Sequence, residues 1–448
     1  IKDYYDMPWY SSKFATIKVT YNLVPSLIFQ LKSYIYDESN DKLLEILKKE
    51  IKNLSKSEID YLESYLFSSN EKNMIKPFHR YYELYLKYND SGKKFDFSYN
   101  ELLDLEVLFL LSWCGNYLRK TNDTIKMFIK KQQFYTQEDK IILINELLNF
   151  LPEILEFYKQ LQIDGKIALS TTPYYHPIIP LLLDLKSAKD AEINVILPKI
   201  ETDFKDFGIK NVEQAISYYE DIFHTKPQGF WPAEGSVSLA TAELFCQNFI
   251  EWFCTDEEIL FKTLQNYDRN NIYKNYNLKT SSGNIEVRFR DHYLSDAIGF
   301  DYSDKNPKEA ALDFLSHLKK IYDSCDFSPL VNIILDGENA WEFFPNNAEP
   351  FFYELYGLLE QSSWLETITM DEITNDKDIE LINITNIATG SWINSSFDIW
   401  IGTAEKNRAW ELLISTKKDF DIHKDTINNI TKELIEKEFM IALGSDWF

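Results

Sequence analysis

The sequence predicts an α/β fold: parallel strands closed towards a barrel, with further helices packed at the C-terminal side. Three observations carry this. Strand-like runs alternate with helical patterns along much of the chain, as repeated β/α units do. Residues about 41–161 interrupt that alternation with helical patterns alone. After Pro345 the pattern is helical again.

The strand-like runs are 17–24, 166–171, 194–197, 228–231, 251–255, 285–290 and 331–335. Each is short and rich in β-branched or aromatic residues. Between them lie amphipathic patterns at 26–36, 177–186, 212–224, 237–248 and 307–322. The insertion reads as helices 43–51, 57–67, 101–118, 124–131 and 137–161. Its loop is 88–94, rich in turn formers. Helices 349–360, 404–415 and 424–443 follow, with a turn-rich aromatic loop at 388–394. The expected organisation is a catalytic barrel at 1–345 carrying the insertion, and a helical region at 346–448 that contributes to the cleft.

Composition bounds the partners. The chain has 448 residues and is 45% hydrophobic, enough for a sizeable core, but its net charge is -24. So acidic a surface repels phosphate backbones and anionic lipid, so neither nucleic acid nor a membrane is an expected partner. A neutral polysaccharide is not repelled. With 10 Trp, 28 Tyr and 31 Phe, rings remain for sugar platforms after the core is filled. Cys114, Cys246, Cys254 and Cys325 form no Cys-x-x-Cys pair and read as thiols of a reducing, cytoplasmic compartment. No run of 18 apolar residues predicts a transmembrane helix. The start at Ile1, without Met or a signal-like stretch, reads as internal.

Two segments carry chemistry. In Val331-Asn332-Ile333-Ile334-Leu335-Asp336-Gly337-Glu338 a mostly apolar run ends in a carboxylate, with Trp341 just beyond. In Gln228-Gly229-Phe230-Trp231-Pro232-Ala233-Glu234 an aromatic run does the same, and Ser236 is the expected cap of the next helix. Strand ends far apart in sequence converge at one mouth of a barrel. Two carboxylates there are the minimal equipment for cleaving a glycosidic bond, and an aromatic beside them stacks on a pyranose. The alternative is two solvated turn carboxylates.

Three further segments admit two readings each. Thr171-Thr172-Pro173-Tyr174-Tyr175-His176-Pro177 is either a sugar subsite or a rigid, proline-bounded turn. In Arg288-Phe289-Arg290-Asp291-His292, Arg290 either orients a catalytic carboxylate or forms a structural ion pair. Glu257 and Glu258 read best as an acidic first helical turn. The six histidines are isolated, and neither a phosphate-binding Gly-rich loop nor a Gly-x-Ser-x-Gly elbow is present. No metal and no cofactor is expected.

Taken together, the segments KVTYNLVPSLIFQL, TTPYYHPIIPLL, GFWPAEGSVS, FRDHYLSDAIGF, LDGENAWE, GSWINSSFDIWIG and GSDWF resemble glycoside hydrolase family 57, especially its amylopullulanase-like and α-amylase-like members. They run in the family's order over nearly the whole chain. The resemblance implies an incomplete seven-stranded (β/α) barrel with a C-terminal helical bundle, and a retaining mechanism on α-glucans without a metal. Glu234 falls on the family's nucleophile and Asp336 on its acid/base. His176, Trp231, Arg290, Asp291, Trp341, Trp392 and Asp446 are the implied substrate-binding residues. Three departures stand out. The family's His-Gln-Pro strand is missing ahead of Lys2, the chain stops at Phe448 where relatives continue, and Ala168 stands where many members carry Glu.

The resulting expectation is a retaining hydrolase of starch, maltooligosaccharides or pullulan. A 4-α-glucanotransferase or branching-type transglycosylase is the alternative within the class. A non-catalytic carbohydrate-binding protein is the alternative outside it. Metal-dependent deacetylation is disfavoured, because no histidine pair has metal-binding spacing.

Overall fold

The computed structural model describes residues 1–36, 39–199, 204–338 and 340–448. Asn339 of the LDGENAWE segment therefore lies outside the described residues. The fold is mixed α/β and rich in helix.

Among the described residues seven strands are formed: β1 (Val19–Asn22), β2 (Ile167–Ser170), β3 (Gly229–Phe230), β4 (Trp252–Asp256), β5 (Asn275–Thr280), β6 (Gly283–Arg290) and β7 (Leu381–Ile384). β1 pairs with β2, β3 with β4, and β4 with β6, all in parallel. A bridge between Thr171 and Phe230 joins the β1–β2 pair to β3. The result is a parallel wall in the order β1, β2, β3, β4, β6. Its residues alternate as a two-residue period requires. Ile167 and Leu169, then Phe253, Val287 and Phe289, point outward into helix-covered cores.

Two expected strands differ. Segment 194–197 is a turn and coil, with Ile193 and Ile196 exposed to solvent. Among the described residues no strand pairs with it. Segment 331–335 makes a single parallel bridge, Asn332 to Arg290. The reason is edge occupancy. β5 pairs antiparallel with β6 as far as Val287, so only the C-terminal tip of that edge is left for Asn332. The hairpin of β5 and β6, and β7 paired in parallel beyond it, were not anticipated.

The insertion is helical as expected and builds its own core from Ile46 to Ile144. Capping boxes at Ser55, Ser98 and Thr136 start three of its helices. A further helix, His79–Asp90, runs into the expected loop. The expected helix 101–118 is two, Tyr99–Ser112 and Asn116–Thr121. The break has a cause. The Asp6 carboxylate accepts from the backbone N–H groups of Asn116 (2.5 Å) and Tyr117 (3.0 Å), and a Cβ on Gly115 would lie 2.7 Å from it. Asp6 therefore caps the second helix from another element.

The C-terminal helices are Glu349–Gln361, Ala404–His423 and Asn429–Ala442. The first packs with the N-terminal helix Lys2–Ser11 in one core. The other two pack against residues 178–207 in another. No helix among the described residues is long and apolar enough to cross a membrane.

Candidate active site

Glu234 stands in a single 3-10 turn, Ala233–Gly235, directly after β3. Its backbone is left-handed, with φ 54°, and Gly235 follows at φ 59°. A glutamate held in that region is strained, and such strain persists only where the surroundings impose it. Here Trp392 imposes it twice. Its backbone N–H donates to the Glu234 carbonyl (3.0 Å), and its indole Nε1 donates to Glu234 Oε2 (2.8 Å). The Trp392 loop is itself fastened to the residues after Glu234 by a two-bond bridge between Val237 and Gly390. A Cβ on Gly390 would lie 2.5 Å from the Ser395 carbonyl oxygen, so only glycine fits. The next helix is capped by Ser238, not Ser236: the Ser238 hydroxyl accepts from Thr241 N–H (3.2 Å).

His176 faces the other oxygen of Glu234, with Nδ1 3.9 Å from Oε1. It too is left-handed, at φ 56°. Its Nδ1 is 2.8 Å from the Ser445 hydroxyl, and its carbonyl accepts from Ser445 N–H. Burial pushes its pKa below the usual histidine value. The charges of Glu234, Asp446 and Asp336 pull the other way.

Trp231 meets Trp392 edge to face, with ring centroids 5.2 Å apart, and a Cβ on Gly235 would lie 3.1 Å from the Trp231 ring. The Arg290 guanidinium lies over the Trp392 ring (5.4 Å). Arg290 is buried. It donates to the Ile334 carbonyl (2.6 Å), pairs with Asp256 (3.4 Å) and pairs closely with Asp296. His292 bridges the same two aspartates. Burial raises the pKa of Asp256, while a Glu258 backbone N–H, His292 and Arg290 oppose it.

Asp336 is exposed, at the end of the extended 331–335 segment. Glu338 follows. Burial raises its pKa, a hydrogen bond from the Tyr4 hydroxyl (3.1 Å) lowers it, and the Asp336 charge raises it further.

The structure therefore gathers Glu234, His176, Trp231, Trp392 and Arg290 by contact, and Asp336 and Asp446 by charge. Two expected substrate contacts stand elsewhere. Asp291 is buried, accepting from Leu294 N–H and the Tyr273 hydroxyl and pairing with Arg269. Its carboxylate is consumed in capping and ion pairing. Trp341 is 3% exposed and packs on Phe344 and Phe352, so its ring presents no face to a sugar. Ser445, Asp256, Tyr4 and Glu338 were not singled out. Ser445 lies in the GSDWF segment, which was the available signal; Tyr4 had none.

The family model described as glycosyl hydrolase family 57 matches residues 1–384. The chain belongs to glycosyl hydrolase family 57. As a family 57 member it is a glycoside hydrolase. Solved structures share the fold at low sequence identity. One is the α-amylase AmyC from Thermotoga maritima, at 16% identity and TM-score 0.55, covering 98% of this chain and 80% of that one. A family 57 branching enzyme from Pyrococcus horikoshii is at 14% identity and TM-score 0.58, covering 99% and 78%. The branching enzyme from Thermococcus kodakaraensis, solved with glucose, is at 14% and 0.56, with the same coverage. No curated protein matches the chain.

Proposed function

We propose that this family 57 chain cleaves α-glucans with retention of configuration. Glu234 attacks the anomeric carbon and forms a glycosyl-enzyme. Asp336 protonates the departing oxygen, then takes a proton from the incoming water or sugar hydroxyl. The single observation that carries the reading is the clamped, left-handed Glu234. One of its oxygens is hydrogen-bonded to Trp392, and the other faces His176. A nucleophile needs one fixed direction of attack, and the strained, doubly held turn supplies one.

A neutral His176 ring suits hydroxyl binding, because it can donate from one nitrogen and accept at the other. Trp231 and Trp392 offer the apolar surface on which a glucose ring stacks. Hydrolysis and transglycosylation differ in which acceptor reaches the glycosyl-enzyme. We place hydrolysis first, because the motif set resembles the amylopullulanase-like members.

The test is turnover of starch and pullulan by Glu234→Ala and Asp336→Ala. Each is expected to lose at least about a thousandfold in rate, ~4 kcal/mol of transition-state stabilisation. Activity within about tenfold of wild type in either variant overturns the assignment of that residue. Product analysis on maltooligosaccharides separates the acceptors: shortened chains mark hydrolysis, and lengthened or branched chains mark transfer.

A further inference from the structure

The segment bearing Asp336 lacks the ladder that normally fixes a strand end. It makes one bridge, at Asn332, and then runs without regular pairing. Side chains from elsewhere hold its backbone instead. Arg290 Nε donates to the Ile334 carbonyl (2.6 Å). The Ser295 hydroxyl accepts from Ile334 N–H (3.1 Å) and donates to the Asp291 carbonyl (2.6 Å). Beyond Asp336, the indole Nε1 of Trp341 donates to the Gly337 carbonyl (2.7 Å). Ser295 and Trp341 are both buried, so each reaches the partly exposed Asp336 segment from the packed interior.

Trp341 is anchored in turn. Its ring lies in the core with Phe344 and Phe352. The turn it begins, Trp341–Phe343, is held by Asn73 of the insertion, whose Nδ2 donates to the carbonyls of Glu342 (3.0 Å) and Phe343 (2.7 Å). Asn73 sits in a π-helical turn, Glu71–Ile75, a geometry enriched at functional sites.

We infer that Ser295 and Trp341 are positioning residues for Asp336, clamping the backbone on either side of it, with Asn73 bracing Trp341. This rests on the assignment of Asp336 as acid/base. The insertion thereby gains a role in catalysis without touching substrate.

The test uses leaving-group dependence. A glucan leaving group must be protonated, whereas fluoride departs without protonation, and azide attacks the glycosyl-enzyme without a base. With α-maltosyl fluoride and azide, the C–F bond breaks as the Glu234 oxygen bonds the anomeric carbon. Azide then forms the C–N bond and frees the carboxylate. Trp341→Phe keeps a ring in the core and removes the donor; Ser295→Ala removes the hydroxyl. Each is expected to lose roughly ten- to a hundredfold in kcat on maltooligosaccharides, as a displaced catalytic group does, and less than about threefold on the fluoride with azide. Equal loss on both substrates, or no loss, overturns the inference. Asp336→Asn run in parallel separates the two claims. If it shows no such split, the assignment of Asp336 fails; if it splits while both positioning variants do not, the clamp fails. Should Trp341→Phe not fold, Ser295→Ala carries the test.

Discussion

Trp392 grips Glu234 at two points, its indole on the carboxylate (2.8 Å) and its backbone N–H on the carbonyl (3.0 Å). One residue thus fixes both the direction of the carboxylate and the strained turn that presents it. Phenylalanine in place of Trp392 keeps the backbone bond and the platform but removes the bond to the carboxylate. A hydrogen bond to a charged group contributes about 1.5–3 kcal/mol. Trp392→Phe is therefore expected to lower kcat/KM on maltooligosaccharides by roughly ten- to a hundredfold with an almost unchanged melting temperature. A loss smaller than about threefold would remove the indole from the account of Glu234.

Gly390 joins that loop to the Glu234 segment at close quarters. Gly390→Ala puts a methyl group 2.5 Å from the Ser395 carbonyl oxygen and 2.8 Å from the Ile259 side chain. The bridge to Val237 must open or the loop must shift. The expected outcome is lost activity together with faster proteolysis within 388–396. Full activity with unchanged proteolysis would show that the bridge is not needed.

His176 sets a pH dependence. Burial lowers its folded pKa below the ordinary histidine value, so the native protein binds fewer protons than the unfolded chain in the window beneath it. Stability therefore rises with pH through that window and falls on acidification. His176→Asn is expected to narrow the gap in melting temperature between about pH 5 and about pH 7. An equal gap in both proteins would count against a buried neutral ring.

In the insertion, Lys140 and Glu106 form a fully buried ion pair (2.8 Å), and Lys140 also donates to the Lys49 carbonyl (2.8 Å). Burial pushes Glu106 up to about 7, against the pull of Lys140. Removing one partner strands the other. Lys140→Met is expected to cost about 3–5 kcal/mol in chemical denaturation, and Lys140→Met with Glu106→Leu to recover most of it. A double variant no better than the single would mean the pair is not coupled.

Much of this was legible in local sequence. Glu234 and Asp336 could be found because each follows an apolar or aromatic run, the local signature of a strand end. The hairpin of β5 and β6 was also written there, in the alternation around Thr280-Ser281-Ser282-Gly283, but went unread. Segment 194–197 misled, because a short apolar run states a preference for strand and says nothing of whether a partner edge is available.

Trp341 marks where the sequence stops. A Trp five residues past a carboxylate has the same local pattern whether it faces a cleft or a core. By itself the sequence determined the fold class and pointed to two candidate carboxylates, with aromatic and histidine residues proposed around one of them. The tertiary structure decided that Asp291 and Trp341 are buried supports, that Asp6 caps a helix from another element, and that the insertion braces the turn after Asp336. The physical reason is range. Periodicity and capping act over a few residues, whereas burial and pairing depend on groups from about ten to more than two hundred residues away that only the folded chain brings within reach.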